Sequence, residues 1–213
     1  MERKPNTSPQ SHDEEILLSV LTSVESGRPI TQRSLAKELG IALGLANAYL
    51  KRCVKKGYVK VTSVPPRRFA YYLTPAGFVE KTRLTGEYLR YSFGFFRDAR
   101  AQCGELFGRC AANDWRRVGL AGAGELGEIA LLCAAEYPVT VVGFIDGRTE
   151  PKKHLGLPVV KSVSELGAVD AVIVTDVTQP QATFDALAEA MPRERLLVPP
   201  LLNVTMSVSR PVE

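Results

Sequence analysis

Histidine and tryptophan are nearly missing from this chain, with two and one among 213 residues. His12 and His154 stand far apart, and the four cysteines, Cys53, Cys103, Cys110 and Cys133, form no C-x-x-C pair. Zinc sites draw on such clusters, so no metal site is expected. No apolar run approaches the roughly 18 residues of a membrane span. The opening MERKPNTSPQSHDEE also lacks the apolar centre of a secretory signal. The expected location is therefore cytoplasmic.

What is present is enough apolar material, 45% of residues, to bury one large core or two small ones. Charge is unevenly placed. Residues 1–74 carry 12 Lys/Arg against 6 Asp/Glu, residues 75–114 carry 6 against 5, and residues 115–213 carry 9 against 12. A basic front and a mildly acidic back assign a polyanion to the front and some other task to the back.

Residues 1–12 are polar and without period, which predicts a disordered tail. From Asp13 the positions Ile16, Leu17, Val20, Leu21 and Val24 recur at helical spacing. Thr31 then fits an N-cap for a short helix that Gly40 closes. A second helix follows a tight turn, with Leu43, Ala46, Leu50 and Val54 predicted as its apolar stripe. Gly44, Leu45, Asn47, Ala48, Lys51, Arg52 and Lys55 are left outward or at the margins. Two short helices joined this way form the helix-turn-helix pattern for entering a major groove. Residues 58–61 and 70–73 read as two strands joined by VPPRRF, a wing with Arg67 and Arg68 at its tip. Thr74 and Pro75 start a long aromatic-rich helix, with kinks or breaks expected at Gly94 and Gly104. Cys103 and Cys110 should share a buried face of it. So many apolar side chains on one helix imply self-association, and a homodimer is expected.

ITQRSLAKELGIALGLANAYLKRCVKKGYVKV, followed by YYLTPAGFVEKTRLTGEYL, resembles the MarR-type winged-helix regulators found beside bacterial exopolysaccharide genes. The resemblance covers residues 14–95 and implies double-stranded operator DNA as partner. Thr31, Gln32, Arg33, Gly44, Asn47, Ala48, Lys51, Arg67 and Arg68 are the expected DNA contacts, Asn47 being best equipped to pair with adenine. Leu45 and Ala48 are apolar at surface-prone positions, so the operator need not be the family's.

The back half is organised around RRVGLAGAGELG at 116–127, a short strand, a glycine turn and a helix start. Gly122, Gly124 and Gly127 have the spacing G-x-G-x-x-G, in which the first allows the turn, the second admits a pyrophosphate and the third lets helix and strand pack closely. A second strand at 139–146 ends in Asp146, placed for a ribose hydroxyl and so for NAD over NADP. Strands at 157–160, 169–175 and 196–198 alternate with helical segments at 162–167 and 179–191. The expected fold class is two-domain α/β: a winged helix-turn-helix at 13–74, a linker and dimerisation helix at 75–114, and a doubly wound, Rossmann-like parallel sheet at 115–213.

This half, placed behind a winged helix, resembles the Rex-type repressors, whose Rossmann domain senses the NADH/NAD balance. Its text, GAGELGEIALL…VVGFIDGR…LGLPVV, is similar to nucleotide-binding domains of enzymes that handle nucleotide sugars in polysaccharide pathways. Both imply NAD(H) or a nucleotide sugar as ligand, held by Gly122, Ala123, Gly124, Glu125, Leu126, Gly127, Asp146, Thr175 and Asp176. His154 is expected as a solvated loop residue. With no Tyr-x-x-x-Lys pair, no histidine at a strand end and no room for a substrate domain, the expectation is a regulator and not an enzyme. The alternative is a small NAD- or nucleotide-sugar-dependent enzyme with a docking front domain.

Overall fold

The computed structural model describes residues 9–28, 30–64, 68–148 and 153–205. They fall into two compact units, Met1–Phe93 and Gly94–Glu213, and the division lies inside one helix.

In the first unit, helices α1 (Pro9–Glu25), α2 (Gln32–Glu38) and α3 (Leu43–Lys55) precede strands β1 (Val59–Val64) and β2 (Arg68–Leu73) and the first half of α4 (Pro75–Ala112). Helix α1 begins at Pro9, so 9–12 are helical and not part of a tail. Proline suits a first turn, where its missing N–H has no partner to lose. Residues 1–8 lie outside the described residues. Thr31 caps α2 as expected, its Oγ1 accepting the Ser34 N–H at 3.0 Å. Gly40, at φ +63°, turns the chain out of α2, and the Ile41 N–H returns to the Ala36 carbonyl. The core gathers Leu17, Val20 and Leu21 of α1, Leu35 of α2, Leu50 and Cys53 of α3, Val59 and Leu84.

The buried side of α3 is Ala46, Tyr49, Leu50 and Cys53, whereas Leu43 and Val54 are exposed. Ala46 and Leu50 of the predicted stripe are buried as expected, but Tyr49 and Cys53, each three residues further on, join them in place of Leu43 and Val54, so the apolar face is turned by part of a helical turn. The wing strands are longer than read, pairing antiparallel from Val59↔Leu73 to Val64↔Arg68. Thr74 caps α4, accepting the Gly77 N–H at 3.0 Å and donating to the Gly57 carbonyl at 2.6 Å. A Cβ on Gly77 would lie 2.1 Å from the Tyr58 carbonyl oxygen, so only glycine lets α4 start this close to the wing.

Helix α4 runs unbroken for 38 residues, without interruption at Gly94 or Gly104. A Cβ on Gly104 would come within 3.0 Å of the Tyr137 hydroxyl, so that glycine serves packing and not a break.

In the second unit β3 (Arg117–Ala121), β4 (Thr140–Ile145), β6 (Leu157–Val160), β7 (Ala171–Val174) and β8 (Leu196–Leu197) are parallel, and β5 (Lys153–His154) runs antiparallel at the edge. Their order is β5-β6-β4-β3-β7-β8. Both faces are covered. Val118, Leu120, Phe144 and Ile173 meet Cys103, Phe107 and Cys110 of α4 together with α5 (Glu125–Ala134). Ala121, Ile145, Val172 and Val174 meet Phe184 and Leu187 of α6 (Pro180–Ala190) and Leu166. Two-sided burial explains why these strands read as continuous apolar runs. The Asp170 carboxylate accepts the N–H groups of Arg116 and Arg117 at 2.9 and 2.8 Å, which anchors the start of the central strand β3.

Candidate functional site

The first candidate is the outer face of α3. Gly44, Ala48, Lys51 and Lys55 are exposed along it, and Asn47 is half-buried at its margin. The Asn47 Oδ1 is itself buried and has no hydrogen-bond partner, so its amide is not spent within the described residues. Thr31, Gln32 and Arg33 at the start of α2 are also exposed, though Thr31 is occupied as a cap. Arg67 lies outside the described residues, as does the side chain of Arg68. The backbone of Arg68 opens β2 opposite Val64 and is not at the tip of the turn, because the wing strands extend further than their apolar pattern.

Helix α3 is tied to α1 by one polar cluster. The Tyr49 hydroxyl donates to Asp13, and Arg52 Nη1 donates to the other Asp13 oxygen at 2.7 Å. These bonds, Tyr49's first, hold the Asp13 carboxyl below the ordinary carboxylate range. Burial, reinforced by Asp13, pushes the Tyr49 phenol up to about 12, so it remains a donor. A depressed folded pKa stabilises fully above the unfolded value and is lost as pH falls through the folded one. Acid below about pH 4 should therefore loosen α1 from α3, and Asp13→Asn should flatten that part of a urea-midpoint titration. The pair is partly exposed, so the effect is modest.

The second candidate is the carboxyl edge of the parallel sheet. Gly122 sits at φ +121°, and a Cβ there would lie 2.5 Å from the Asp176 nitrogen. A Cβ on Gly127 would lie 2.4 Å from the Gly122 oxygen and 3.0 Å from the Phe144 ring. The third glycine differs. Gly124, the residue preceding α5, would meet nothing within 4 Å. Two of the three glycines are thus required by the chain's own packing, and one faces open space.

The other expected ligand residues separate. Glu125 is exposed and Ala123 half-buried, whereas the side chain of Leu126 is in the core, leaving only its backbone at the turn. Thr175 is buried and its hydroxyl donates to the Gly122 carbonyl at 2.8 Å, so it holds the turn in place. Asp146 accepts the Ala123 N–H at 3.3 Å and the Arg148 N–H at 2.9 Å. Asp176 accepts the N–H groups of Thr178 and Gln179, the Thr183 hydroxyl and Arg148 Nη2. Burial alone would raise the Asp176 carboxyl, but these bonds outweigh it and hold it below the ordinary range. Both acids are thus engaged within the fold, Asp146 by two backbone N–H groups and Asp176 by its own loop and Arg148.

Sequence reasoning missed Arg148. Its guanidinium lies 2.9 Å from Asp176 and 3.4 Å from Asp146. Those acids follow β7 and β4, the strands on either side of β3, so Arg148 spans the crevice above the end of β3. A cavity of ≈ 250 Å³ lies beside it, lined by Ile145, Val163 and Leu187 together with Arg148, Lys161 and Ser162. The signal was available in the sequence as a cation two residues past the acid. His154 is not a solvated loop residue: it lies on β5, largely covered, edge-on to Phe144 with ring centroids 5.2 Å apart. Its Nε2 comes within 3.0 Å of Glu128 without hydrogen-bond alignment.

Residues 13–60 match the family model described as winged helix-turn-helix DNA-binding. The first unit carries a DNA-binding winged helix. The match extends from α1 to the start of β1 and is to winged helices as a class, not to MarR-type or Rex-type regulators in particular. A comparison with the curated proteins finds no match. Among solved structures, one described as "PigF with SAH" aligns with 88% of this chain at 14% identity and a TM-score of 0.23. The aligned region spans 57% of that chain's length. That structure is bound to SAH, and on this finding the expectation of a chain without enzymatic activity is withdrawn. At such a score the likeness supports no particular fold or reaction here. No helix among the described residues is long and apolar enough to cross a membrane.

Proposed function

We propose that the chain is a cytoplasmic, homodimeric transcription regulator whose Rossmann-like second unit binds a nucleotide, either NAD(H) or a nucleotide sugar, and thereby alters DNA binding. Control of polysaccharide genes is the form of this reading that fits the nucleotide-sugar arm. The observation that carries the ligand assignment is the contrast among the three glycines, since a residue with no packing reason to lack a side chain is explained by a ligand that approaches there. The backbone at 123–126 would face the phosphate and the ≈ 250 Å³ cavity would take a sugar or base. Glu125 sets a negative charge beside that position, so phosphate contact would come from backbone N–H groups, with Arg148 and Lys161 as the compensating cations.

Asp146 already accepts from Ala123 and Arg148, so a ribose 2′-hydroxyl would share it with them, and Arg148 would be a second residue that discriminates. A thermal-shift panel of ADP, NAD, NADH, NADP and UDP-glucose tests the ligand. Saturable stabilisation by one of them should also change the affinity for a duplex selected from random sequence. Linkage then requires that duplex to change the ligand's affinity by the same factor. Stabilisation by none of the five, with duplex binding intact, would leave a DNA binder and remove the nucleotide.

A further inference from the structure

The first half of α4 presents a face that nothing among the described residues covers. At about 100° per residue, Phe78, Val79, Thr82, Gly86, Leu89 and Phe93 fall on one side of the helix, opposite Leu84, which enters the winged-helix core. Phe78 is 56% exposed, Val79 68%, Leu89 44% and Phe93 62%. No charged residue lies within this stripe, which extends for about 22 Å. Gly86 stands in its middle. A Cβ there would meet nothing within 4 Å, so the chain's own packing does not account for a glycine that weakens the helix.

We propose that this face is the seam of a two-fold homodimer in which two copies of α4 pack antiparallel, centred between Glu87 and Tyr88. The proposal deepens the dimeric reading above and rests on it. In that register Thr82 of each copy faces Phe93 of the other and Gly86 faces Leu89, so at both central pairs a large side chain meets a small one, while Val79 faces Phe96, itself 40% exposed, and Phe78 faces Arg97. The two-fold repeats both pairs, as an isologous interface requires. A parallel pairing would set Phe93 against Phe93 and leave a void between two Gly86 residues. Together with Phe96, which falls on the same side of the helix, the exposed apolar side chains offer on the order of 500 Å² per copy. Two copies reach the roughly 1,000 Å² that a specific interface needs.

Sedimentation of the full chain at tens of micromolar, together with thiol pairing, tests the seam. Thr82→Cys chains mixed with Phe93→Cys chains should form a covalent heterodimer on mild oxidation, while Phe93→Cys alone, whose two copies stand about 16 Å apart along the seam, should not link to itself. Gly86→Leu meets open space within one chain, so it should leave the melting temperature in place yet raise the dimer dissociation constant at least 100-fold. A monomer would overturn the seam and the dimer together, leaving the DNA-binding reading to its own assay. A dimer that links through Phe93→Cys alone, fails to link Thr82→Cys to Phe93→Cys, or is indifferent to Gly86→Leu would overturn the seam alone.

Discussion

Gly122→Ala is expected to remove the folded state of the sheet unit, whereas Gly124→Asp is expected to leave it intact and remove ligand binding. Position 122 sits at φ +121°, which side chains of L-residues rarely tolerate, and the added carbon would lie 2.5–2.8 Å from backbone atoms of Thr175 and Asp176. Relief requires the ends of β3 and β7 to part. That would break the Thr175 N–H bond to the Ala121 carbonyl at 2.7 Å and the Thr175 hydroxyl bond to Gly122. Strain with loss of buried hydrogen bonds costs on the order of 4 kcal/mol, a large share of a domain's stability. Calorimetry should show the loss of one melting transition. Gly124, at φ −97°, accepts any residue without strain and has open space around it, so an aspartate there meets only an incoming phosphate. A Gly124→Asp chain that melts normally but still binds the nucleotide would disprove the placement of the phosphate. An unchanged melt for Gly122→Ala would contradict the backbone geometry itself.

The second large effect belongs to DNA binding. Lys51 and Lys55 are exposed on α3, and neither is tied into the Asp13 cluster that engages Arg52. Reversing both, as Lys51→Glu with Lys55→Glu, removes two phosphate partners and adds two repulsions on one helix face. Affinity for duplex DNA at low salt should fall by about 100-fold or more, and the slope of log affinity against log salt should become shallower by about two. The melting temperature should barely move, because neither side chain is part of the core. A gel shift or fluorescence titration at several salt concentrations measures both. An unchanged slope would remove this face of α3 from the interface.

Legibility in the sequence followed the strength of local chemistry. Thr31, Gly40 and Thr74-Pro75 marked helix ends correctly because capping is decided within a few residues. The buried parallel strands were legible as unbroken apolar runs. Where tertiary contacts decide, the reading drifted. Tyr49 and Cys53 replaced Leu43 and Val54 inside α3 because a tyrosine can bury its ring while its hydroxyl reaches Asp13. Gly104 reads as a kink or break because its partner, Tyr137, is distant in sequence. The glycine turn was legible, but the state of its acids was not. Asp146 and Asp176 read as ligand groups, but that they also accept from Arg148, Thr183 and the loop N–H groups depends on contacts the sequence does not display.

All four cysteines are free and buried. Burial pushes the thiols of Cys53 and Cys110 up to about 11 and that of Cys103 up to about 12, and it raises Cys133 as well. At neutral pH almost none of this sulfur is ionised or within reach of a reagent. A single thiol engineered onto the surface would then be the one nucleophile that a maleimide dye meets, so fluorophores or spin labels can be attached to this chain at chosen positions without first stripping out its native cysteines.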